Sequence, residues 1–338
     1  MTGRTLIHHD GALGDLLLSL PAIREIRKRS AAVHLAGRPD AAGLLRDVGC
    51  IDEAHDVGAA LMSCLYGRVA DERALTFLSR FDSVYVFTKG SDSSLVRHLR
   101  EIIPRTVVIL TIPPEGAGIH IAEFRLRQIE SEGAGTNCGD WRPTRVDVSP
   151  SRREAARVVL RERGYDCRRP LIAIHPGSGG ERKCWPTARF SSLVEKLAVG
   201  HEAFVLVVTG PAEGPESRQM AKEVEEKGWG VPVDGLPLPD LSAILSLADL
   251  CVGNDSGISH LASLVNGRVV SIFGPTDPLL WRPLGDSARV ISAGEECSPC
   301  GAERSRLCVS RLCLERVTVD EVYDACEEML RDVIHKAV

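Results

Sequence analysis

Hydrophobic positions along this chain follow two different spacings. Short apolar runs predict strands: TLIHH at 5–9, AVHLAG at 32–37, SVYVF at 83–87 and TVVILTI at 106–112. Between them, DLLLSLPAIREIRKR at 15–29 places Leu16, Leu20, Ile23 and Ile26 near helical spacing. HIAEFRLRQIESEG at 120–133 predicts a second helix ended by glycine. Strand alternating with helix implies a parallel sheet covered on both faces.

The rhythm stops at 134–150, a stretch rich in Gly, Pro and Asp that predicts an interdomain connection. It then restarts with a helix at 151–164, a strand and turn at 171–177, and a helix at 185–197 opened by Pro186. AFVLVVTG at 203–210 predicts a buried strand ending in glycine. LSAILSLADL, DLCVGNDSG, ISHLASLV and RVVSIFGP continue the alternation from 241 to 275, and 317–337 predicts a closing helix. The expected organisation is α/β, with two Rossmann-like, doubly wound domains facing a central cleft. The first covers 1–150, the second 151–316, and the helix of 317–338 closes the chain. In such sheets ligands sit beyond the carboxyl ends of the strands.

Composition narrows the function classes. The chain has 338 residues, 44% of them hydrophobic, with 41 basic against 46 acidic residues and a formal charge of −5. Phosphate neutralisation needs a basic surface, so nucleic acid is not the expected partner. The RKR at 27–29 reads as a solvated helix face, or as a contact for an anionic substrate or lipid surface. No signal peptide is visible, and no apolar run approaches the roughly 20 residues that span a bilayer. A cytoplasmic protein is expected, with at most peripheral contact to the inner face of the inner membrane. Eleven cysteines fit a reducing compartment if most are free or metal-bound.

Candidate chemistry collects at the strand ends. In HPGSGGERKCWP (175–186) three glycines let the backbone approach a ligand, and Lys183 precedes a helix N-terminus that favours anions. The stretch reads as a diphosphate cradle or as a surface loop with an exposed lysine. It is not a Walker loop, because GxxxxGK[ST] is absent. In GNDSGISH (253–260), Asp255, Ser256 and Gly257 lie at a strand-to-helix turn with His260 one turn on. That block reads as a phosphate holder or as an ordinary helix cap. TGPAEG (209–214) supplies Thr209, Gly210 and Glu213. Glu213 reads either as a ribose acceptor or as a solvated residue opening a helix. FGPTDP (273–278) is a further strand-end turn. GALGD (11–15), which carries Gly14 and Asp15, lacks GxGxxG, so a dinucleotide is a poor reading of it. Asp15 reads as a favourable charge at a helix start or as a general base.

CSPCGAERSRLCVSRLC (297–313) sets Cys297, Cys300, Cys308 and Cys313 in the spacing C-x2-C-x7-C-x4-C. Four thiols so placed read as a structural Zn or Fe site, or as free or redox-active thiols.

Taken in order, GALGDLLLSLPAIREIRK, HPGSGGERKCWP and GNDSGISHLASLVNGRVVSIFGPTDP resemble family-nine glycosyltransferases, which include the ADP-heptose:lipopolysaccharide heptosyltransferases. The resemblance is scattered from about residue 5 to 330. It implies a GT-B fold, with the acceptor held mainly by the first domain and the nucleotide sugar by the second, and the closing helix packing back on the first. It implies inverting transfer from a nucleotide sugar, expected to be ADP-linked, to a glycan or glycolipid acceptor, with no catalytic metal. No D-x-D motif occurs in the chain. The family's base falls on Asp15, beside Gly14. Its phosphate-binding lysine and loop hydroxyl fall on Lys183 and Ser178, and its D-[ST]-G-x-x-H block on Asp255, Ser256, Gly257 and His260. Cys184 stands where many members carry Arg, Tyr or His. The alternatives are a nucleotide-sugar epimerase of the same fold and a non-catalytic nucleotide-sugar binder.

Overall fold

A computed structural model describes residues 3–59, 72–132, 145–211, 213–300 and 307–334. The chain divides into two compact units, Met1–Arg142 and Pro143–Val338. Most of the expected interdomain connection, residues 134–144, lies outside the described residues, as do the last four residues.

The first unit holds five parallel strands: β1 (Arg4–His9), β2 (Ala32–Gly37), β3 (Glu53–Asp56), β4 (Ser83–Thr88) and β5 (Arg105–Leu110). Their order in the sheet is β3-β2-β1-β4-β5. The chain runs outward from β1 in one direction, then returns to β4 and runs outward in the other. Ligands in such sheets bind where the order reverses, at the carboxyl ends of β1 and β4. One face is covered by helices Glu72–Leu78 and Ser94–Ile102, whose Leu78, Leu95, Val96 and Leu99 pack on Leu6, Val84 and Val86.

The single helix expected at 15–29 is two, Leu13–Leu18 and Leu20–Lys28, joined at Ser19. Pro21 explains the break: it has no N–H to donate back along the helix and is tolerated only in a first turn. The helix expected at 120–133 spans Ile121–Ser131, and the His120 side chain caps it by accepting the Ala122 N–H.

The second unit holds six parallel strands: β6 (Leu171–His175), β7 (Phe204–Thr209), β8 (Gly230–Asp234), β9 (Leu250–Asn254), β10 (Arg268–Ile272) and β11 (Ser287–Ile291). The order β11-β10-β9-β6-β7-β8 reverses between β6 and β9. Trp185 and Phe190, in edge-to-face contact at 5.0 Å, anchor a core with Ile172, Ile174, Val205 and Val252.

Two boundary expectations differ from what is seen. The second unit begins before residue 150: Val146 is buried, and its N–H donates to the Leu264 carbonyl at 2.9 Å, tying this stretch to the second sheet's helix layer. The closing helix Val319–Ile334, expected on the first domain, is built into the second unit. Val322, Cys326 and Leu330, one turn apart, enter the core with Trp185, and Trp185 Nε1 donates to the Val317 carbonyl just ahead of the helix.

Candidate functional site

The first unit presents Asp15 at the carboxyl end of β1. Gly14 and Asp15 lie in the first turn of helix Leu13–Leu18. The turn is tight: a Cβ at Gly11 would sit 2.9 Å from the Asp15 Cβ and 2.7 Å from the His9 ring, so only glycine fits. Beneath Asp15 lies the fully buried Arg125. Its Nη2 donates to Asp15 Oδ1 at 3.1 Å, and its Nη1 to the Asp15 carbonyl at 2.6 Å and to Ser19 Oγ at 2.8 Å. Its Nε and Nη2 both donate to the Thr111 carbonyl, just beyond β5. Among the described residues, the other carboxylate oxygen of Asp15 takes no hydrogen bond, and the side chain is 35% exposed.

The protons in this network can be assigned. Burial, then the positive charge of Arg125, lowers the His9 pKa to about 3, so the ring is neutral. His9 Nδ1 accepts the Gly11 N–H at 3.3 Å, which leaves the proton on Nε2, 3.1 Å from Ser19 Oγ. Ser19 in turn donates to the Asp15 carbonyl at 3.0 Å. Each donor has an acceptor, so the carboxylate stands on a fully satisfied base.

Arg125 is not among the expected site residues. Its signal in the sequence is the stripe Ile121–Arg125–Ile129, where a guanidinium occupies a position that helical spacing reserves for the core; all three are buried. Buried charges need partners, and such an arginine points to a carboxylate.

The second unit brings the loops after β6 and β9 together. Asn254, fully buried at the end of β9, is the clamp: Oδ1 accepts the Trp185 N–H at 2.8 Å, and Nδ2 donates to the carbonyls of Pro176 at 2.7 Å and Gly177 at 3.2 Å. Ser178 Oγ adds a bond to the Asp255 carbonyl at 2.7 Å. Asn254 is also not among the expected site residues; GNDSG displays it, but only the fold reveals what it binds.

Within this junction Lys183 Nζ sits 2.7 Å from Asp255 Oδ2, and His260 Nε2 sits 3.8 Å from Asp255 Oδ1. Burial pushes the Asp255 pKa up, but the neighbouring His260 and the Lys183 ammonium outweigh it and bring the value down to about 2. His260 Nδ1 is buried without a hydrogen-bond partner among the described residues. Lys183 is 40% exposed, so its ammonium reaches solvent while Asp255 does not. Ser256 caps helix Gly257–Val265, accepting the Ser259 N–H at 3.2 Å.

The third expected loop is knitted more tightly than its sequence suggests. The Glu213 side chain is buried rather than solvated; it accepts the Gly210 N–H at 2.5 Å and lies 3.8 Å from His175 Nε2. A Cβ on Gly177 would fall on its carboxylate, so this loop and the HPGSGG loop interlock. Thr209 Oγ1 donates to Asp234 at 2.8 Å, at the end of β8.

Cys297, Cys300 and Cys308 are half-buried and Cys313 is buried. Burial and then the three other thiols raise the Cys313 pKa to about 11.

The sequence model of glycosyltransferase family 9 (heptosyltransferase) matches residues 141–309, half of the chain. This chain belongs to glycosyltransferase family 9. A lipopolysaccharide heptosyltransferase 3 from Escherichia coli is 32% identical over 129 residues, 37% of this chain and 37% of its own length. The chain therefore matches well under two thirds of that curated relative. Solved structures extend the likeness to the whole fold. A family 9 glycosyltransferase from Veillonella parvula superposes with a TM-score of 0.78 at 18% identity, over 98% of both chains. An E. coli ADP-heptose LPS heptosyltransferase II gives 0.73 at 18% identity, over 97% of this chain and 99% of its own. These neighbours establish the GT-B fold of this family 9 member.

Proposed function

We propose that this protein transfers a heptose or related sugar from an ADP-linked donor to a hydroxyl of a lipopolysaccharide core or similar glycan. Transfer inverts the anomeric centre and uses no catalytic metal. The observation that carries this reading is Asp15, held through one oxygen by a buried arginine and open at the other, at the switch point of the first sheet.

In this mechanism the open oxygen of Asp15 removes the acceptor hydroxyl's proton as that oxygen attacks the anomeric carbon. The bond from that carbon to the diphosphate oxygen breaks on the opposite face. Lys183, the amides of the 177–180 loop and the N-terminus of helix Gly257–Val265 stabilise the charge gathering on the departing ADP. Lys183 already faces a carboxylate, Asp255, and its exposed ammonium can share its donors with a phosphate oxygen. His260 and Lys183 together hold the Asp255 carboxyl below the usual carboxylate range.

Donor and reaction class are tested together. Nucleotide sugars are screened for thermal stabilisation, since a ligand binding only the folded state raises stability by mass action. ADP release is then followed with and without glycan acceptor. ADP-heptose stabilisation with acceptor-dependent release supports the reading. Binding without release leaves a non-catalytic binder, and acceptor-independent conversion of the sugar makes it an epimerase.

We also infer a structural metal at Cys297, Cys300, Cys308 and Cys313. The thiols share one neighbourhood, and ligation would deprotonate them. Among the described residues no three of these sulfurs lie within 4.8 Å of one another, so a bound ion would draw them closer. Metal analysis of wild type and Cys300→Ser tests it; equal content in both removes the site.

A further inference from the structure

Away from this chemistry, the outer edge of the first sheet carries three side chains in ligand geometry. β2 and β3 pair in parallel with His34 opposite Glu53 and Ala36 opposite His55. Residues two apart on a strand share a face, so His34, Glu53 and His55 project to the same side. His34 Nδ1 lies 3.0 Å from His55 Nε2 and 3.4 Å from Glu53 Oε2, and the last two are 3.9 Å apart.

Those separations match donors around one small cation. Bonds of about 2.0–2.2 Å to a tetrahedral ion place neighbouring donors roughly 3.3–3.5 Å apart. The rings are also held before any ion arrives. The two imidazoles stack at 5.3 Å with planes 5° apart, His34 meets Phe81 edge-on at 5.0 Å, and His55 meets Phe77 edge-on at 4.8 Å. Glu53 is 64% exposed, which leaves a path for an ion and room for a water ligand.

We propose that His34, Glu53 and His55 form a binding site for a divalent transition metal, best suited to Zn²⁺, that staples edge strand β3 to β2. Two imidazoles and one carboxylate favour Zn²⁺ and its neighbours over Mg²⁺ or Ca²⁺, which take oxygen ligands. The ion takes the place of the proton shared by His34 Nδ1 and His55 Nε2, which moves to the other nitrogen of the ring that carried it. The fourth position is filled by water. Edge strands expose unpaired backbone groups, and tying one down suppresses its fraying and mispairing.

The test uses full-length protein, reduced and stripped with chelator, then titrated with Zn²⁺ by calorimetry and with Co²⁺ by absorption. Glu53→Gln is isosteric and exposed, so it leaves the fold intact; His55→Gln is the second variant. A control with Cys297 and Cys300 changed to Ser separates the thiols. The proposal predicts one Zn²⁺ equivalent that survives in the cysteine control and raises Tm. Its affinity falls at least ~10-fold in Glu53→Gln and ~100-fold in His55→Gln; even partners outside the ligand set are worth about 10–100-fold. At this site Co²⁺ shows d–d bands without sulfur-to-cobalt charge transfer. Equal affinity in wild type and both variants overturns the proposal. So does zinc uptake that disappears with the two cysteines, or no uptake at all.

Discussion

Arg125 and Asp15 meet 3.1 Å apart across 110 positions of sequence, and the arginine is buried completely while the carboxylate is not. The pair is asymmetric by construction. The guanidinium spends its five N–H donors on fixed oxygens, and among the described residues the carboxylate it holds keeps one oxygen without a hydrogen bond.

The first prediction concerns this asymmetry. Arg125→Met preserves volume but frees the Asp15 side chain to rotate, and a small misplacement of a catalytic group costs about 10²-fold. Steady-state kinetics are expected to show kcat falling about 10²-fold with donor KM nearly unchanged. Arg125→Lys fails to restore kcat, because an ammonium has three donors and no planar fork. Wild-type kcat in Arg125→Met would leave the arginine a purely structural role.

The second concerns pH. Folded His9 has a pKa near 3, below its ordinary 6.5. As pH falls, the unfolded chain takes up this proton first, so unfolding becomes easier. The contribution is complete above about pH 6.5 and is lost progressively from there down to about pH 3. His9→Gln replaces the ring with an amide that does not titrate. Urea unfolding across this range should show wild type losing stability relative to the variant as acid is added. Parallel curves would contradict the neutral, buried ring.

The third concerns the clamp in the second unit. Asn254→Ala strands a buried Trp185 N–H and two carbonyls. Each lost partner costs roughly 1–3 kcal/mol, so a loss of about 3 kcal/mol or more is expected in denaturant unfolding. ADP affinity by calorimetry should fall about 10-fold or more as the two loops separate.

The fourth concerns Lys183. Lys183→Ala removes a charge-assisted contact worth about 1.5–3 kcal/mol, a 10- to 100-fold loss in ADP affinity. It also removes one of the two groups that hold Asp255 near pKa 2. That carboxylate's contribution to stability is present above its unfolded value of 3.8 and is lost as pH falls towards 2; the variant should lose it at higher pH. Unchanged affinity and an unchanged acid limb would remove Lys183 from the donor site.

Much of the sheet framework is legible in the amino-acid sequence, and the strands that are not lie at sheet edges. β1, β2, β4, β6, β7, β9 and β10 are apolar runs, and buried parallel strands have that form. β3 has the sequence EAHD and β11 the sequence SARVI, both half solvated at sheet edges where no apolar run is needed; β8, GVPVD, is an edge strand whose apolar run is broken by Gly230 and Pro232. Asp15, Lys183 and Asp255 are visible because strand-end turns concentrate glycine and charge. Arg125 and Asn254 are not, because their roles lie in bonds to residues 110 and 69 positions away. Periodicity marks Arg125 as out of place in a helix but does not supply its partner. Glu213 shows the reverse error: an acidic residue beside a helix looks solvated, and only the packing of Gly177 against it shows that it is buried.

The most direct measurement is single-turnover sugar transfer by Asp15→Asn with saturating ADP-heptose and acceptor, beside donor affinity measured by calorimetry. Asparagine keeps an oxygen for Arg125 but cannot take a proton. The account predicts transfer slowed by about 10²- to 10⁴-fold, the range of general-base contributions, with ADP-heptose affinity within a few-fold of wild type. Transfer at the wild-type rate would contradict it.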